Sequence, residues 1–278
     1  MKIAIITDME GVAGVMNRDD WVLPDGHYYE RGKEFLTQET NAAIDGFFAA
    51  GATEIIVIDG HGAGGIDPWL LDERVQLSRG WGVYHQFGLN DNFDAMAWVG
   101  QHAKAGTLLA HIAHTGSQNV LENKINGISM GEFGECAAIG GFYGAAAIFG
   151  SGDRAFTEEA KTFTPHIHTV AVKYGVNLDG GANLDAQAYS QNSLGAIHTH
   201  PKRARALIRE TAEKALRDFA ANRSKYPPLR LNPPYIIETW FRADGNNAPH
   251  KITRRHDSDI IAMYIMPAER EENEKGKN

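Results

Sequence analysis

The chain begins with a short apolar run that leads into two acidic residues. Residues 3–6 are Ile-Ala-Ile-Ile, and Asp8 and Glu10 follow closely, with glycines at positions 11 and 14. A short run of this kind is typical of a strand buried on both faces of a parallel sheet. Because side chains two residues apart on an extended chain point the same way, we predict two adjacent carboxylates where this strand ends.

Two neighbouring carboxylates repel each other, which raises the pKa of one of them strongly unless a cation neutralises the pair. A divalent cation held by Asp8 and Glu10 is one interpretation. The other is a helix N-cap at Asp8 with a solvated Glu10, and these two residues alone do not decide between them.

Strand and helix patterns alternate through the first 175 residues, as in a mainly parallel sheet flanked by helices. Strand patterns cover residues 54–59, 94–100, 124–130, 142–149 and 169–173, and helical patterns cover 29–50, 131–141, 155–161 and 200–222. Trp69 and Trp81 are candidate core residues. Two further strand-like runs, 235–241 and 259–266, are expected to pair antiparallel with each other.

These patterns predict an α/β fold with a smaller C-terminal α+β portion. Residues 1–195 are expected to form a metal-binding catalytic α/β domain, and residues 196–266 a helix and antiparallel strands packed on it. Residues 267–278 are charged and poor in apolar residues, so we expect a frayed tail.

The composition narrows the class of protein. A net charge of −8 with no basic stretch argues against a nucleic-acid partner. The single cysteine, Cys136, excludes an intramolecular disulfide and argues against a cysteine-based zinc site. No run approaches the roughly 18 apolar residues that a membrane helix requires. We therefore expect a soluble cytoplasmic protein with neither nucleic acid nor membrane as a partner.

Metal-competent side chains follow several of the predicted strands. In an open parallel sheet the ligand site lies at the carboxyl ends of the strands. His61 follows the second strand, His102 follows the third, and Glu132 stands at a helix start. With Asp8 and Glu10 they make two histidines and three carboxylates, a set typical of zinc- or manganese-type hydrolytic sites. Five ligands exceed what one catalytic metal takes while keeping a position for water, so we predict a two-metal site with Asp8 as the candidate bridge.

Other polar residues have less specific interpretations. His111 and His114 are three residues apart, a spacing that allows them to share one face of a helix, and solvated side chains are the alternative. Residues 60–65 formally match G-x-G-x-x-G, which keeps a nucleotide-binding protein as an alternative, although no clear helix follows the glycines. The run Gly-Ser-Gly-Asp at residues 150–153 lacks the G-x-S-x-G elbow and predicts a turn.

The whole set of residues resembles the D-aminopeptidase family of the dipeptide-operon type, which are metal-dependent peptidases. The matching segments occur in family order over the first 175 residues: Thr7-Asp8-Met9-Glu10-Gly11, Asp59-Gly60-His61-Gly62, residues 102–107, His114-Thr115, residues 131–134, residues 151–153 and Val172-Lys173.

The resemblance implies two divalent metal ions per chain, zinc first and manganese or cobalt as alternatives. It implies that they are held by Asp8, Glu10, His61, His102 and Glu132, with His114 as the catalytic residue. It also implies a homo-oligomer, such as a decameric ring, whose active sites face an internal chamber.

The chain also departs from the family pattern. Cys136 stands where the family often has Asn, and Asn-Leu-Asp-Gly-Gly-Ala at residues 177–182 replaces an expected Gly-Arg-x-Ala-Ala stretch. We therefore expect the chemistry to carry over better than the substrate pocket. The predicted function is a metal-dependent hydrolase of amide bonds, an aminopeptidase acting on short D-residue peptides. An amidase for another small amide or acylated amino acid is the closest alternative, and it would not require a free α-amine.

Overall fold

A computed structural model describes residues 1–80, 89–90 and 92–272. In chain order the strands are β1 (Lys2–Thr7), β2 (Glu54–Asp59), β3 (Gln76–Ser78), β4 (Ala95–Gln101), β5 (Val120–Ile125), β6 (Ile128–Ser129), β7 (Ala146–Asp153), β8 (His168–Gly175), β9 (Ala196–His198), β10 (Tyr235–Phe241), β11 (His250–His256) and β12 (Glu269–Glu272). The α-helices are α1 (Arg18–Trp21), α2 (Tyr29–Ala49), α3 (Glu132–Phe142), α4 (Arg154–Phe163), α5 (Ala186–Ser190), α6 (Pro201–Ala221) and α7 (Ile260–Ile265).

Seven of the strands form a mainly parallel sheet, in the order β3-β2-β1-β4-β7-β8-β9. Every neighbouring pair is parallel except β8 and β9. The predicted α/β class with a mainly parallel sheet is therefore confirmed. Within the sheet, Thr7 of β1 lies beside Asp59 of β2 on one side and Val99 of β4 on the other. This register brings the carboxyl ends of β1, β2 and β4 to the same edge of the sheet.

Helices cover both faces of this sheet. On β1, Ile3 and Ile5 face the core formed with α2 and α6, whereas Ala4 and Ile6 face the core formed with α3 and α4. The continuous apolar run is explained by this two-sided burial, because each face of the strand requires an apolar residue. Each fully buried isoleucine of the run contributes about 1.5–3 kcal/mol of hydrophobic free energy.

The other five strands form a second, antiparallel sheet in the order β12-β11-β10-β5-β6. Asn126 and Gly127, both with positive φ, connect β5 to β6, as in a tight type I′ hairpin. β5 and β6 come from the middle of the chain, whereas β9, from beyond residue 195, belongs to the parallel sheet. Both sheets therefore contain strands from each side of the boundary that we predicted at residue 195.

The predicted pairing of residues 235–241 with 259–266 is wrong. The partner of β10 is β11, and residues 260–265 form helix α7 instead. The side chain of Asp259 accepts hydrogen bonds from the backbone nitrogens of Ile261 and Ala262, which caps this helix. Five of the seven residues of β11 are charged or histidine and it has no apolar run, so its sequence does not have a strand pattern.

The C-terminal segment is also more ordered than predicted. Residues 269–272 form β12, which pairs antiparallel with β11, although we expected a frayed tail from residue 267 onward. Backbone pairing at a sheet edge does not require apolar side chains, and charged edge strands are common. Residues 273–278 of the predicted tail lie outside the described residues, as does the candidate core residue Trp81. The other candidate, Trp69, is 93% exposed and does not belong to the core.

Two local predictions between residues 110 and 153 are also wrong. Residues 150–153 are the end of strand β7 rather than a turn, and Ser151 is fully buried there. His111 and His114 do not share a helix, because residues 111–114 form a loop in which Ile112 has a φ of 53°. Within the described residues no helix is long and apolar enough to cross a membrane.

The chain that follows β1 is held by side chains rather than by regular secondary structure. We call residues 13–16 the anchored segment, because each of its four residues has one backbone group bonded to a side chain from a different part of the fold. These bonds, of 3.1–3.2 Å, join Ala13 N to Glu39, Gly14 N to His198, Val15 O to Lys173 and Met16 O to His111. Since Glu10 lies three residues before this segment, the four bonds limit how far the acidic residues can move.

Three of these four side chains are fully buried, at a cost in electrostatic free energy. Burial raises the pKa of Glu39 to about 8, although the Ala13 N–H and the charges of Lys173 and Arg205 oppose the shift. Burial likewise lowers the pKa of Lys173 to about 8. His111 has a pKa lowered to about 2 by burial and by the charges of Lys173 and His198. Burying these ionisable side chains therefore lowers the stability of the fold, while the bonds that they make hold the segment in place.

Replacing Gly100 should disturb the candidate site through the backbone. Gly100 has a φ of 76°, and a Cβ there would overlap the backbone oxygen of Asp8. We expect Gly100→Ala to lower the free energy of unfolding by about 3 kcal/mol or more, from backbone strain and overpacking together. Gly51→Ala is the control, because Gly51 also has a positive φ but nothing lies within 4 Å of its Cβ position. If urea unfolding shows that the two variants lose the same free energy of unfolding, the predicted clash is contradicted.

Glu39 should make the stability depend on pH. Because its pKa in the folded protein, about 8, exceeds the ordinary value of 4.5, the folded state retains a proton that the unfolded state releases between these values. The contribution is complete below pH 4.5 and is lost as the pH rises towards 8. We expect Glu39→Gln to flatten this decline in urea unfolding free energies measured at several pH values. Glu34→Gln is the control, because Glu34 lies on the same helix with a partly exposed side chain, and it should leave the decline unchanged. If Glu39→Gln also leaves the decline unchanged, Glu39 is not its source.

Candidate metal centre

Six acidic and histidine side chains meet at the carboxyl edge of the parallel sheet. Asp8 and Glu10 follow β1, His61 follows β2, His102 follows β4, His114 lies on the loop before β5, and Glu132 begins α3. All except Glu132 are less than a tenth exposed, and Glu132 has a side-chain exposure of 23%. They form two groups in which one potential ligand atom per residue lies within 4.8 Å of the others.

The first group consists of Asp8, Glu10 and His61. The Nε2 atom of His61 lies 3.8 Å from Oε1 of Glu10. Asp8 accepts a hydrogen bond from the Met9 backbone at Oδ1 and one from the Gln101 side chain at Oδ2, which orients its carboxylate. This group has the oxygen and nitrogen donors that zinc takes in proteins.

The second group consists of His102, His114 and Glu132. The Nε2 atoms of the two histidines lie 3.5 Å and 3.8 Å from Oε1 of Glu132, and their rings stack with centroids 4.1 Å apart. Asp8 adjoins this group as well, because its Oδ2 lies 3.1 Å from Nε2 of His102. Asp8 is therefore in reach of both groups.

The backbone sets the tautomers of the two stacked histidines. Nδ1 of His102 donates to the carbonyl of Ala103, and Nδ1 of His114 donates to the carbonyl of Ile112. A neutral ring then has an unprotonated Nε2, and in both residues this atom faces carboxylate oxygens. Because both partners accept hydrogen bonds, a proton or a cation must lie between them. A backbone carbonyl at the far nitrogen is the usual arrangement for a metal-binding histidine.

Charge in this cluster is unbalanced. Burial, followed by repulsion from Glu10, raises the pKa of Asp8 well above its ordinary value. Burial lowers the pKa of His102, but attraction to Glu132 and Asp8 outweighs it and places the pKa well above the ordinary value. Among the described residues, Oε2 of Glu10 and Nδ1 of His61 are buried without a hydrogen-bond partner. Buried acceptors of this kind, crowded and incompletely satisfied, fit divalent cations.

The structure brings together all the residues that the sequence singled out for the site. The five predicted ligands and the predicted catalytic residue, His114, lie within this one cluster, although their roles stay predictions. His111 is separate, because its Nε2 donates to the carbonyl of Met16 in the anchored segment. Two further histidines also have partners outside the cluster: His198 accepts from Gly14 N, and His168 pairs with Asp218.

Two supporting contacts in the cluster were not predicted from the sequence. Gln101 donates to Asp8, and the backbone nitrogen of Gly116 donates to Oε1 of Glu132 at 2.7 Å. Gln101 is the last residue of β4 and directly precedes His102. Its position at the end of a buried strand was the available signal. No sequence pattern marks a backbone donor such as Gly116.

A cleft of about 710 Å³ opens onto the cluster. The antiparallel sheet lines its other side with alternating residues of β10 and β11, namely Ile237, Thr239, Phe241, Ile252 and Arg254. Alternation follows from the strand geometry, which turns every second side chain to the same face. The cleft has the volume of a small-molecule site, with a polar cluster on one wall and mostly apolar side chains on the other.

The glycine-rich run at residues 60–65 does not resemble a dinucleotide site. No helix follows it through residue 71, so the helix N-terminus that would bind a pyrophosphate is absent from this part of the described chain. The loop instead folds back on Asp59, whose carboxylate accepts from the backbone nitrogens of Gly65 and Ile66. This conformation of the glycine-rich loop places His61 beside Glu10.

The chain is similar to known proteins in sequence and in fold. The D-aminopeptidase of Bacillus subtilis (strain 168) is 28% identical to the chain over 194 residues, which are 64% of this chain and 65% of the relative. The match therefore spans slightly less than two thirds of the relative's length.

A solved structure described as the Zn-dependent D-aminopeptidase DppA from Bacillus subtilis, a self-compartmentalizing protease, has the same fold. The TM-score is 0.79 at 23% sequence identity, and the alignment covers 95% of this chain and 94% of that one. The profile of the D-aminopeptidase family matches residues 1–250. Because this match covers most of the sequence, the chain belongs to the D-aminopeptidase family.

Proposed function

We propose that the protein is a metal-dependent aminopeptidase that hydrolyses short peptides, D-residue peptides in the first place. The observation that carries the proposal is the cluster of buried carboxylates and histidines at one edge of the sheet, open to a cleft of small-molecule size. Family membership and the name of the similar Bacillus subtilis protein support the D-peptide substrate. An amidase acting on an acylated amino acid would share the cluster but would not require a free amine.

Two zinc ions fit the cluster. Asp8, Glu10 and His61 would hold one ion, and His102 and Glu132 would hold the other, with Asp8 shared because it adjoins both groups. The description of the similar structure as Zn-dependent supports the choice of metal. When bound, zinc polarises a carbonyl oxygen and lowers the pKa of water to about 7, which supplies the hydrolytic chemistry.

His114 is suited to moving the proton. Its Nδ1 donates to Ile112, so the ring is fixed with Nε2 directed into the cluster, 3.9 Å from Glu10 and 3.8 Å from Glu132. Burial, followed by the charge of His102, lowers its pKa, which keeps the ring neutral near pH 7. A neutral Nε2 accepts a proton, and we propose that His114 transfers it to the leaving amine. The competing role is that of a third ligand beside His102 and Glu132.

We also propose that the protein forms a homo-oligomer. Large apolar side chains are exposed on neighbouring loops at the β9 edge, among them Leu108, Leu109 and Leu178, the last of which is 75% exposed. The backbone nitrogen of Leu109 donates to the carbonyl of Asn177, which holds the two loops together. Exposed apolar patches of this kind mark protein interfaces. The name of the similar structure, a self-compartmentalizing protease, supports such an assembly, and the decameric ring stays a prediction.

Metal content tests the proposal directly. We expect elemental analysis of the purified protein to find two zinc ions per chain, and chelation to abolish hydrolysis until zinc is restored. Glu132→Gln should lose affinity for one ion by about 10–100-fold or more, because a carboxylate ligand becomes a neutral amide. Glu34→Gln, outside the cluster, should retain both ions. A protein that hydrolyses peptides fully after chelation would refute the proposed function.

Replacing His114 separates its two possible roles. We expect His114→Ala to retain both metal ions and to lower kcat by about 10²–10⁴-fold, the usual contribution of a proton-transferring side chain. Elemental analysis and kcat at saturating metal would be measured on the same preparation. His27→Ala, which removes an exposed histidine, should change neither quantity. Loss of one metal ion in His114→Ala would instead identify His114 as a ligand.

A further inference from the structure

One buried carboxylate lines the cleft without belonging to the metal cluster. Glu135 lies on α3, one helical turn after Glu132, and is 9% exposed. It lines the same cleft as Glu132, together with Asn123, Thr239 and Tyr264. The side chain therefore presents its remaining exposed edge to the space where a substrate would bind.

The hydrogen-bond partners of Glu135 are both neutral. Asn123 donates through Nδ2 to Oε1 at 2.6 Å, and the hydroxyl of Tyr264 donates to Oε2 at 2.9 Å. Thr239 donates to Oδ1 of Asn123, which fixes the amide so that its nitrogen faces Glu135. These bonds orient the carboxylate without neutralising its charge.

The two charged groups that act most strongly on Glu135 have the same sign as Glu135 itself, since Glu132 and Glu159 both repel it. Burial, opposed in part by the two hydrogen bonds, raises its pKa to about 7. A buried carboxylate is normally paired with a cation or replaced by an uncharged group. Here the carboxylate lines the cleft instead.

A purely structural role does not explain why an ionisable carboxyl group occupies this position. The network joins α3, β5, β10 and α7, but those links use only the acceptor capacity of the side chain, which a glutamine oxygen also has. An ionised carboxylate offers about four acceptor positions, of which the two protein donors take two. The remaining positions are suited to a group that carries both hydrogen-bond donors and positive charge.

We propose that Glu135 binds an ammonium group of the substrate and so determines which amides the enzyme accepts. The inference rests on the proposed function, because it places the substrate in the cleft beside the metal cluster. Side chains three residues apart on a helix have Cβ atoms roughly 5–6 Å apart. A group bound by Glu135 therefore lies next to Glu132, one of the predicted metal ligands. The α-ammonium of a peptide is close to its first carbonyl and fits this position. A basic side chain of the substrate carries the same chemistry.

Binding of product-like ligands to the zinc-loaded protein tests the inference and identifies the source of the ammonium group. Calorimetry would compare D-alanine with propionate, which differ in the α-ammonium, and D-lysine with D-norleucine, which differ in the side-chain ammonium. We expect the wild-type protein to prefer the ammonium-bearing member of at least one pair. Glu135→Gln should reduce that preference by about fivefold or more, because a charge-assisted hydrogen bond is lost. Glu135→Met gives the same comparison if the Gln variant folds poorly.

Tyr264→Phe is the matched control, because it removes a neutral donor to Glu135 and keeps the charge. It should retain the preference for the ammonium-bearing ligand. The inference is overturned if the wild type shows no preference in either pair. It is also overturned if Glu135→Gln reduces the preference by less than about fivefold, or if Tyr264→Phe reduces it as much as Glu135→Gln does. Ligand binding is measured without turnover, so the two proposals can fail separately. If the preference depends on Glu135 but the protein has no peptidase activity, only the proposed function is refuted.

Discussion

Like charges buried together at the end of β1 are the feature on which the rest of the structure depends. Two unit charges about 4 Å apart interact by about 4 kcal/mol at an effective dielectric constant of about 20. Asp8 and Glu10 carry this cost with little solvent to screen it, since both are less than a tenth exposed. Burial raises the pKa of Glu10, but attraction to the three histidines outweighs it and lowers that pKa, whereas the pKa of Asp8 stays well above its ordinary value. A pair of buried carboxylates in this state fits a site that holds cations.

Much of the metal centre could be predicted because its residues follow strands with clear patterns. β1, β2 and β4 are short apolar runs, and a polar residue directly after such a run must lie at the carboxyl edge of a parallel sheet. His61 and His102 were located in this way, without reference to the loops that carry them. Glu132 was found because a helix pattern begins at its position. The sheet class followed from the same alternation of strands and helices.

Strands β11 and β12 of the second sheet and the anchored segment could not be predicted, for a physical reason that they share. β11 is a charged strand and β12 is an acidic edge, so neither has the apolar periodicity that marks a strand. The anchored segment depends on bonds between backbone groups and side chains distant in the chain, such as Lys173 to Val15. Such bonds follow from the tertiary fold and have no local pattern. The part of the cleft wall that β11 supplies and the support of Glu10 were therefore missed.

The position of β5 and β6 in the chain affects the order in which the molecule can be completed. β6 pairs with β5, and β5 pairs with β10, more than a hundred residues later. β10 and β11 supply the wall opposite the charged cluster. During synthesis the acidic and histidine residues emerge long before that wall exists. Contacts between distant residues form late because closing a long loop costs entropy. A nascent chain would thus present the acidic and histidine residues to the solvent first and complete the cleft that faces them last.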